Sequence, residues 1–177
     1  YQPVGAEPNI VRFKVFRKTK TIELSDIIPL LENLGLRVLS ENPYAIHKKS
    51  DDVIWLHDFK LSYSLPGVID VLGVKEIFQK AFSAVWHKRS VNDSFNKLVL
   101  SAELNWREVF VLRAYASYMH QTLFNFTEHY IANALVNQRD IARLLINLFI
   151  TKFDPTFNAS QEERINNINQ YRDEILT

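Results

Sequence analysis

The hydrophobic positions in the first third of the chain recur with a period of two, which is typical of β-strands that bury one face. Three segments follow this pattern: residues 11–15, 36–47 and 53–63. Between the first two, Leu30, Leu31 and Leu34 recur with helical spacing, and Gly35 is placed to end that helix in the left-handed conformation. The pattern therefore predicts a β-α-β-β unit, in which a small antiparallel sheet is backed by one helix.

Local signals add detail to this unit. Ser25 or Asp26 is expected to cap the helix, with Pro29 in the first turn, where a missing N–H costs little. The second strand is expected to break near residues 42–43, and the polar residues 48–51 predict a turn before the third strand.

The hydrophobic period changes to that of helices after the turn signal at residues 66–67. Four residues are placed to cap successive helices: Asp93, Asn105, Thr127 and Ser160. Two of these caps have a glutamate three residues later, which is the capping-box spacing: Asn105 with Glu108, and Ser160 with Glu163.

Three of these helices have readable apolar stripes. The helix after Asn105 is predicted to bury Val109, Leu112, Ala116, Met119 and Leu123. The most amphipathic helix is predicted to bury Ile141, Leu144, Leu145, Leu148 and Phe149. The last helix has only a thin apolar seam, so we expect it to dock on another element or to fray. The predicted fold class is α+β: a small α/β unit over residues 1–66, followed by a mainly helical domain over 67–177.

Composition excludes several classes of site. Basic and acidic residues nearly balance (21 against 20), and cysteine is absent, which rules out disulfides and thiolate metal sites. The four glycines form no phosphate-binding motif, the histidines have no metal-ligand spacing, and no nucleophile elbow occurs. No apolar run is long enough for a membrane span. We predict no catalytic, cofactor-binding or metal residue. Because the chain begins at Tyr1, we expect a segment of a longer polypeptide.

One helix carries a distinctive polar and aromatic group, and we take it as a possible structural or interaction cluster: Trp106, Arg107, Arg113 and Gln121. Helical spacing places Trp106, Phe110 and Arg113 on one face. Arg113 could stack on the aromatic rings or bind a carboxylate through two hydrogen bonds. It could instead hold two helices together through their C-terminal carbonyls, and we favour that structural role.

A basic run on the first strand admits two interpretations. It contains Arg12, Lys14, Arg17, Lys18 and Lys20, and no acidic residue. Such a face could bind an anion such as RNA. It could also be an edge strand that charge protects against pairing with other strands. Few aromatic residues interleave on the polar face, so we favour the second interpretation.

The chain resembles one family, the large bacterial NAD-specific glutamate dehydrogenases, over roughly residues 10–155. The resemblance rests on the shared order of these motifs: LSDIIPLLENLGLRV at 24–38, ENPY at 41–44, WLHDF at 55–59, FNKLVL at 95–100, WREV at 106–109, RAYA at 113–116, LF at 148–149 and FDP at 153–155. Two departures are the missing glycine turn before Phe95 and the lack of a final strand that would complete a β-α-β-β-α-β pattern.

The resemblance implies an ACT-like regulatory module followed by a helical connecting region, in a cytoplasmic homo-oligomer. It implies that glutamate and NAD bind in a separate domain of the parent enzyme, beyond Thr177, so this segment alone would be inactive. The implied partners are the remaining domains of the same polypeptide and an amino-acid effector near the loop Arg17–Asp26. Nucleic acid and membrane are not among them. The alternative is a free-standing helical adaptor or RNA-binding module that uses the basic strand Arg12–Lys20.

Overall fold

The computed structural model describes residues 1–3, 5, 7–47, 53–122 and 125–177. Its elements follow in this order: β1 (Ile10–Lys18), α1 (Leu24–Asn33), β2 (Leu36–His47), β3 (Val53–Tyr63), α2 (Val71–Trp86), a 3-10 turn (Ser94–Lys97), α3 (Leu98–Ser101), α4 (Trp106–Gln121), α5 (Glu128–Asn137), α6 (Arg139–Phe153) and α7 (Gln161–Leu176). The predicted α+β class and the β-α-β-β order are confirmed. The turn predicted at 48–51, and Leu123 of the α4 stripe, lie outside the described residues.

The described strands form one antiparallel sheet in the order β1-β3-β2. Phe13 of β1 packs edge-on against Phe78 and Phe82 of α2, with ring centroids 5.2 and 4.9 Å apart. Phe59 and Leu61 of β3 point to the same face and are fully buried. Both α1 and α2 cover this face, which leaves the opposite face of the sheet open.

The start of α1 differs from the prediction. The helix begins at Leu24 with Glu23 as N-cap, and no side chain caps it, so the predicted caps Ser25 and Asp26 lie inside the first turn. Pro29 is the sixth helical residue, in the second turn. The physical reason lies in the preceding turn: Ile22 is buried and its N–H is held by His57, so the chain enters the helix directly afterwards.

The irregularity in β2 also lies elsewhere than predicted. The strand continues through residues 42–43, and the register shifts between Val38 and Ser40 instead. Pro43 lies opposite His57 within the ladder. Because β2 is an edge strand, its alternate N–H groups need no partner in the sheet, and a proline is tolerated there.

Every predicted helix terminus after residue 90 is confirmed. The Asp93 side chain accepts a hydrogen bond from the Phe95 N–H, and Thr127 accepts one from the Tyr130 N–H. Asn105 and Ser160 each form a complete capping box with a glutamate. Gly35, at φ +85°, ends α1 as predicted.

The buried side of α6 was predicted incompletely. Its most buried residues are Ala142, Ile146 and Thr151, whereas the predicted Leu145, Leu148 and Phe149 are only half-buried. These larger side chains line a groove that opens to the surface. Buried residues of the sheet unit and of the later helices form one continuous apolar cluster, from Val11 to Ile146. The division at residues 66–67 stays a prediction.

Candidate functional site

Arg113 of α4 is the most strongly bonded member of the predicted cluster. It is only 6% exposed. Its Nε and Nη2 donate to the two carboxylate oxygens of Asp93, at 2.5 and 2.9 Å, and Nη2 also donates to Oδ1 of Asn96 at 2.9 Å. The guanidinium carbon lies 5.7 Å from the centroid of Phe95. Arg113 thus binds a carboxylate through two hydrogen bonds, as one interpretation anticipated, but the carboxylate belongs to the protein itself.

The other members do not join Arg113. The exposed guanidinium of Arg107 lies 5.3 Å from the ring of the half-buried Trp106, which is a cation–π pair at the start of α4. Gln121 is exposed at the far end of the helix. Arg113 contacts the turn at residues 93–96, through its hydrogen bonds and the Phe95 ring. Its guanidinium is therefore held by this turn, and not by the rings of Trp106 and Phe110 that helical spacing had placed beside it.

Contacts to helix C-termini, which were considered for Arg113, are made instead by two other arginines. Arg143 of α6 donates from Nε to the Ala102 carbonyl, at 2.8 Å, just after α3. Arg164 of α7 donates to the carbonyl oxygens of Thr151, Asp154 and Phe157, at 2.9, 3.3 and 3.0 Å. Orphan carbonyls at a helix end favour such cationic donors. Arg164 therefore attaches α7 to the end of α6.

His57 is buried in the sheet unit at 1% exposure, and sequence reasoning did not identify its partners. Its Nδ1 lies 2.8 Å from Oε1 of Glu41 on β2, and its Nε2 accepts the Ile22 N–H at 3.1 Å. An Nε2 that accepts a backbone N–H carries no proton, so Nδ1–H is the donor to Glu41. His57 thereby ties β2 and β3 to the loop that enters α1.

The loop predicted as an effector site, Arg17–Asp26, is internally bonded and lies beside a depression. Arg17 donates to the Thr21 carbonyl at 3.2 Å and lies 5.9 Å from the Trp86 ring. Asp26 lines the depression next to the loop, which has a volume of about 570 Å³. Its other lining residues come from α1, α2, α4 and the segment after α2, and include Trp86, Lys88, Arg89, Asn92 and Phe110.

The basic strand is partly neutralised on the open face of the sheet. Arg12 and Lys14 lie 3.4 and 3.9 Å from the carboxylate of Asp58, which the register places opposite Lys14. Arg17 points to the covered face. Because one acidic residue serves two of the cations, the strand does not present a uniform positive surface.

An apolar groove lies between α4, α5 and α6, with a volume of about 490 Å³. Leu112 and Met119 line it from α4, and Leu135 lines it from α5. Leu145 and Phe149 contribute the α6 side. Lys152 is the charged residue among those that line it. The volume of this groove and its mostly apolar lining are typical of ligand-binding pockets in proteins.

Metal and membrane sites receive no support from the described residues. No three His, Asp or Glu side chains within this part of the chain are grouped as ligands of one ion would be. No helix there has the length and apolar character needed to cross a bilayer.

Comparison with known families matches two consecutive parts of the chain. The family described as glutamate dehydrogenase, ACT3 domain, matches residues 1–74. The family described as glutamate dehydrogenase, helical motif 3, matches residues 90–155. These matches and the fold define the class: an ACT-like α/β unit followed by a helical region.

Three relatives carry the name NAD-specific glutamate dehydrogenase. That of Halomonas elongata is 40% identical over 155 residues, which cover 88% of this chain and 10% of the relative. That of Pseudomonas aeruginosa is 42% identical over 153 residues (86% and 9%), and that of Mycobacterium tuberculosis is 32% identical over 163 residues (89% and 10%). The chain corresponds to a segment of these large NAD-specific glutamate dehydrogenases, which confirms the resemblance. It spans about a tenth of the length of these curated relatives.

Proposed function

We propose that the chain is a noncatalytic regulatory and structural segment of an NAD-dependent glutamate dehydrogenase. The parent enzyme would oxidatively deaminate L-glutamate to 2-oxoglutarate, with NAD as hydride acceptor. The observation that carries this proposal is the match of two consecutive modules, at residues 1–74 and 90–155, to named modules of glutamate dehydrogenases.

In this proposal the glutamate and NAD sites lie in another domain of a cytoplasmic, homo-oligomeric enzyme. Residues 1–66 form the regulatory module and residues 67–177 the connecting domain. The charged groups that are most buried support a structural role. The Nε and Nη2 atoms of Arg113 donate to Asp93 and Asn96, and the two ring nitrogens of His57 are hydrogen-bonded to Glu41 and to a backbone N–H. Both side chains are thus held by groups of the protein itself.

The regulatory part of the proposal places an amino-acid effector in the depression beside the loop Arg17–Asp26. An α-amino acid carries an ammonium and a carboxylate. The depression offers Asp26 for the first, and Lys88 and Arg89 for the second, beside the aromatic rings of Trp86 and Phe110. Charges of both signs around an apolar surface suit a zwitterion with an apolar side chain.

Two measurements test these proposals separately. The purified 177-residue chain should produce no NADH from NAD and glutamate, and turnover at a rate proportional to chain concentration would refute the noncatalytic role. Titration calorimetry with a panel of amino acids should give heat for at least one of them, and Lys88→Ala should weaken it. No heat for any amino acid removes the effector and leaves the segment assignment intact.

The RNA-binding alternative receives little support from the geometry, because Asp58 lies between Arg12 and Lys14. Salt-dependent retention of the chain on an RNA column would favour it, if retention is lost when Arg12, Lys14 and Arg17 are all changed to alanine. We expect no such retention at moderate salt.

A further inference from the structure

Helix α4 carries large apolar residues on both its buried and its exposed side. Its inward side buries Val109, Leu112 and Ala116 together with the charged Arg113. Its outward side exposes large aromatic residues, with Phe110 55% and Tyr118 63% exposed. A helix that is apolar on both sides is normally covered on both sides. Among the described residues, the outward side of α4 therefore lacks a covering element.

The exposed residues of α4 form a regular ridge. Phe110, Ala114 and Tyr118 are spaced four residues apart, so they lie in one row along the helix, and Tyr115 lies beside that row. We call these four residues the aromatic stripe. Rows with this spacing are the ridges that fit into the grooves of a second helix in helix–helix packing. The stripe thus has the shape that a helix would recognise.

The aromatic stripe continues into the apolar groove between α4, α5 and α6. A shallower depression of about 320 Å³ is lined by the stripe and by Phe149 of α6, and Tyr115 and Phe149 also line the groove. The whole surface therefore has a ridge, the aromatic stripe, next to a groove with room for a large apolar side chain. Contiguous apolar surfaces of this kind mark interaction sites.

Charge and chain length indicate what covers this surface. Lys152 at the groove has no ion-pair partner among the described residues, and neither does Arg107, which lies one turn before Phe110. An occupant with acidic residues at these positions would neutralise both cations. The relatives are about ten times longer than the aligned segment. The matched helical module is described as the third of its kind, so further helical regions are expected in the same polypeptide.

We propose that the aromatic stripe and the apolar groove receive an amphipathic helix from another part of the same polypeptide, outside these 177 residues. Its apolar side packs on the stripe, one large side chain enters the groove, and an acidic residue pairs with Lys152. This inference rests on the proposed function, because it requires a longer dehydrogenase chain as the source of the helix.

Site-specific thiol labelling tests the inference, since the chain contains no cysteine. Ala114→Cys places a thiol in the middle of the stripe. Leu72→Cys is the matched control, because Leu72 is 86% exposed on α2, away from the stripe. Each variant is made in the 177-residue chain and in the full-length dehydrogenase that carries this segment. Maleimide modification is followed on the corresponding peptide by mass spectrometry, so native cysteines elsewhere do not interfere.

In the 177-residue chain we expect both cysteines to react at similar rates. In the full-length enzyme the labelling rate of Ala114→Cys should fall by at least about tenfold, because a docked helix must open before the thiol is reached. The labelling rate of Leu72→Cys should not change. Adding Tyr118→Asp to the full-length Ala114→Cys variant should restore fast labelling, since the docked helix would have to bury a carboxylate.

Equal labelling of Ala114→Cys in both proteins overturns the inference, while the dehydrogenase activity of the longer protein still upholds the proposed function. Labelling of Ala114→Cys in the 177-residue chain that slows as its concentration rises identifies a second copy as the occupant, and it also overturns the inference. If no longer dehydrogenase carries this segment, the proposed function itself fails.

Discussion

The contact between Arg113 and the Asp93–Asn96 turn gives the sharpest prediction about stability. Replacing Arg113 with methionine keeps most of the side-chain volume but removes three hydrogen bonds, two to Asp93 and one to Asn96. The carboxylate of Asp93 then remains next to an apolar side chain, and Oδ1 of Asn96, a residue only 4% exposed, loses its donor.

The expected cost follows from this burial. Removing one partner of a buried ion pair typically costs about 3–5 kcal/mol. The Asp93 side chain keeps 26% of its exposure, so water can partly replace the lost donor, and we expect the lower end, about 3 kcal/mol. For a chain of this size that corresponds to a decrease in Tm of about 6–12 °C.

Urea unfolding followed by circular dichroism at pH 7 measures this cost. Arg107→Met is the matched control: it removes an exposed arginine that lies 5.3 Å from the Trp106 ring, and should cost less than about 1 kcal/mol. The double variant with Asp93→Asn should be more stable than the sum of the two single changes, by about 1–2 kcal/mol. Our interpretation is refuted if Arg113→Met costs no more than Arg107→Met, or if the two changes are additive.

Three further predictions concern helix ends. Gly35→Ala should cost about 1–2 kcal/mol in unfolding experiments, because φ is +85° and the new Cβ would lie 2.5 Å from a leucine side chain. Gly5→Ala should cost less, because its φ of +75° is similar but the new Cβ meets no atom within 4 Å. Arg164→Ala should speed hydrogen exchange throughout α7, while the exposed Arg172→Ala should not. Hydrogen bonds from Ser160, the N-cap of α7, lower the pKa of Glu163. The cap therefore stabilises α7 at pH values above the usual pKa of glutamate, and this stabilisation is lost as the pH falls through the lowered pKa. Glu163→Gln should remove this dependence of helical content on pH.

The elements that the sequence predicted correctly depend on local signals. Gly35 ends α1, and Asn105 caps α4, because each effect involves residues at most four positions apart. The period-two pattern of β1 and β3 likewise depends only on which face is buried. The misplaced start of α1 shows the limit of this reasoning. Serine is a residue type that often caps helices, but α1 already begins before Ser25, because the hydrogen bond from the Ile22 N–H to the distant His57 positions the start of the helix.

The contacts that define the candidate sites could not be predicted from spacing alone. Arg113 is hydrogen-bonded to Asp93, twenty positions earlier, and His57 to Glu41, sixteen positions earlier. For the second pair a signal becomes usable once the register is known. Pro43 lies opposite His57, so Glu41, two positions away, shares the same face of the sheet. The buried side of α6, with Ala142 and Ile146, was missed because periodicity shows which residues are apolar but not which of them a neighbouring helix covers.

The central claim is that these residues act as part of a much longer NAD-dependent glutamate dehydrogenase. Immunoprecipitation from a lysate of the source cells, with an antibody raised against the 177-residue chain, tests it most directly. We expect the antibody to recover one polypeptide about ten times longer than this chain, and to deplete glutamate-dependent NADH formation from the lysate. Recovery of a polypeptide near 20.7 kDa, with the dehydrogenase activity left in the supernatant, would contradict the claim.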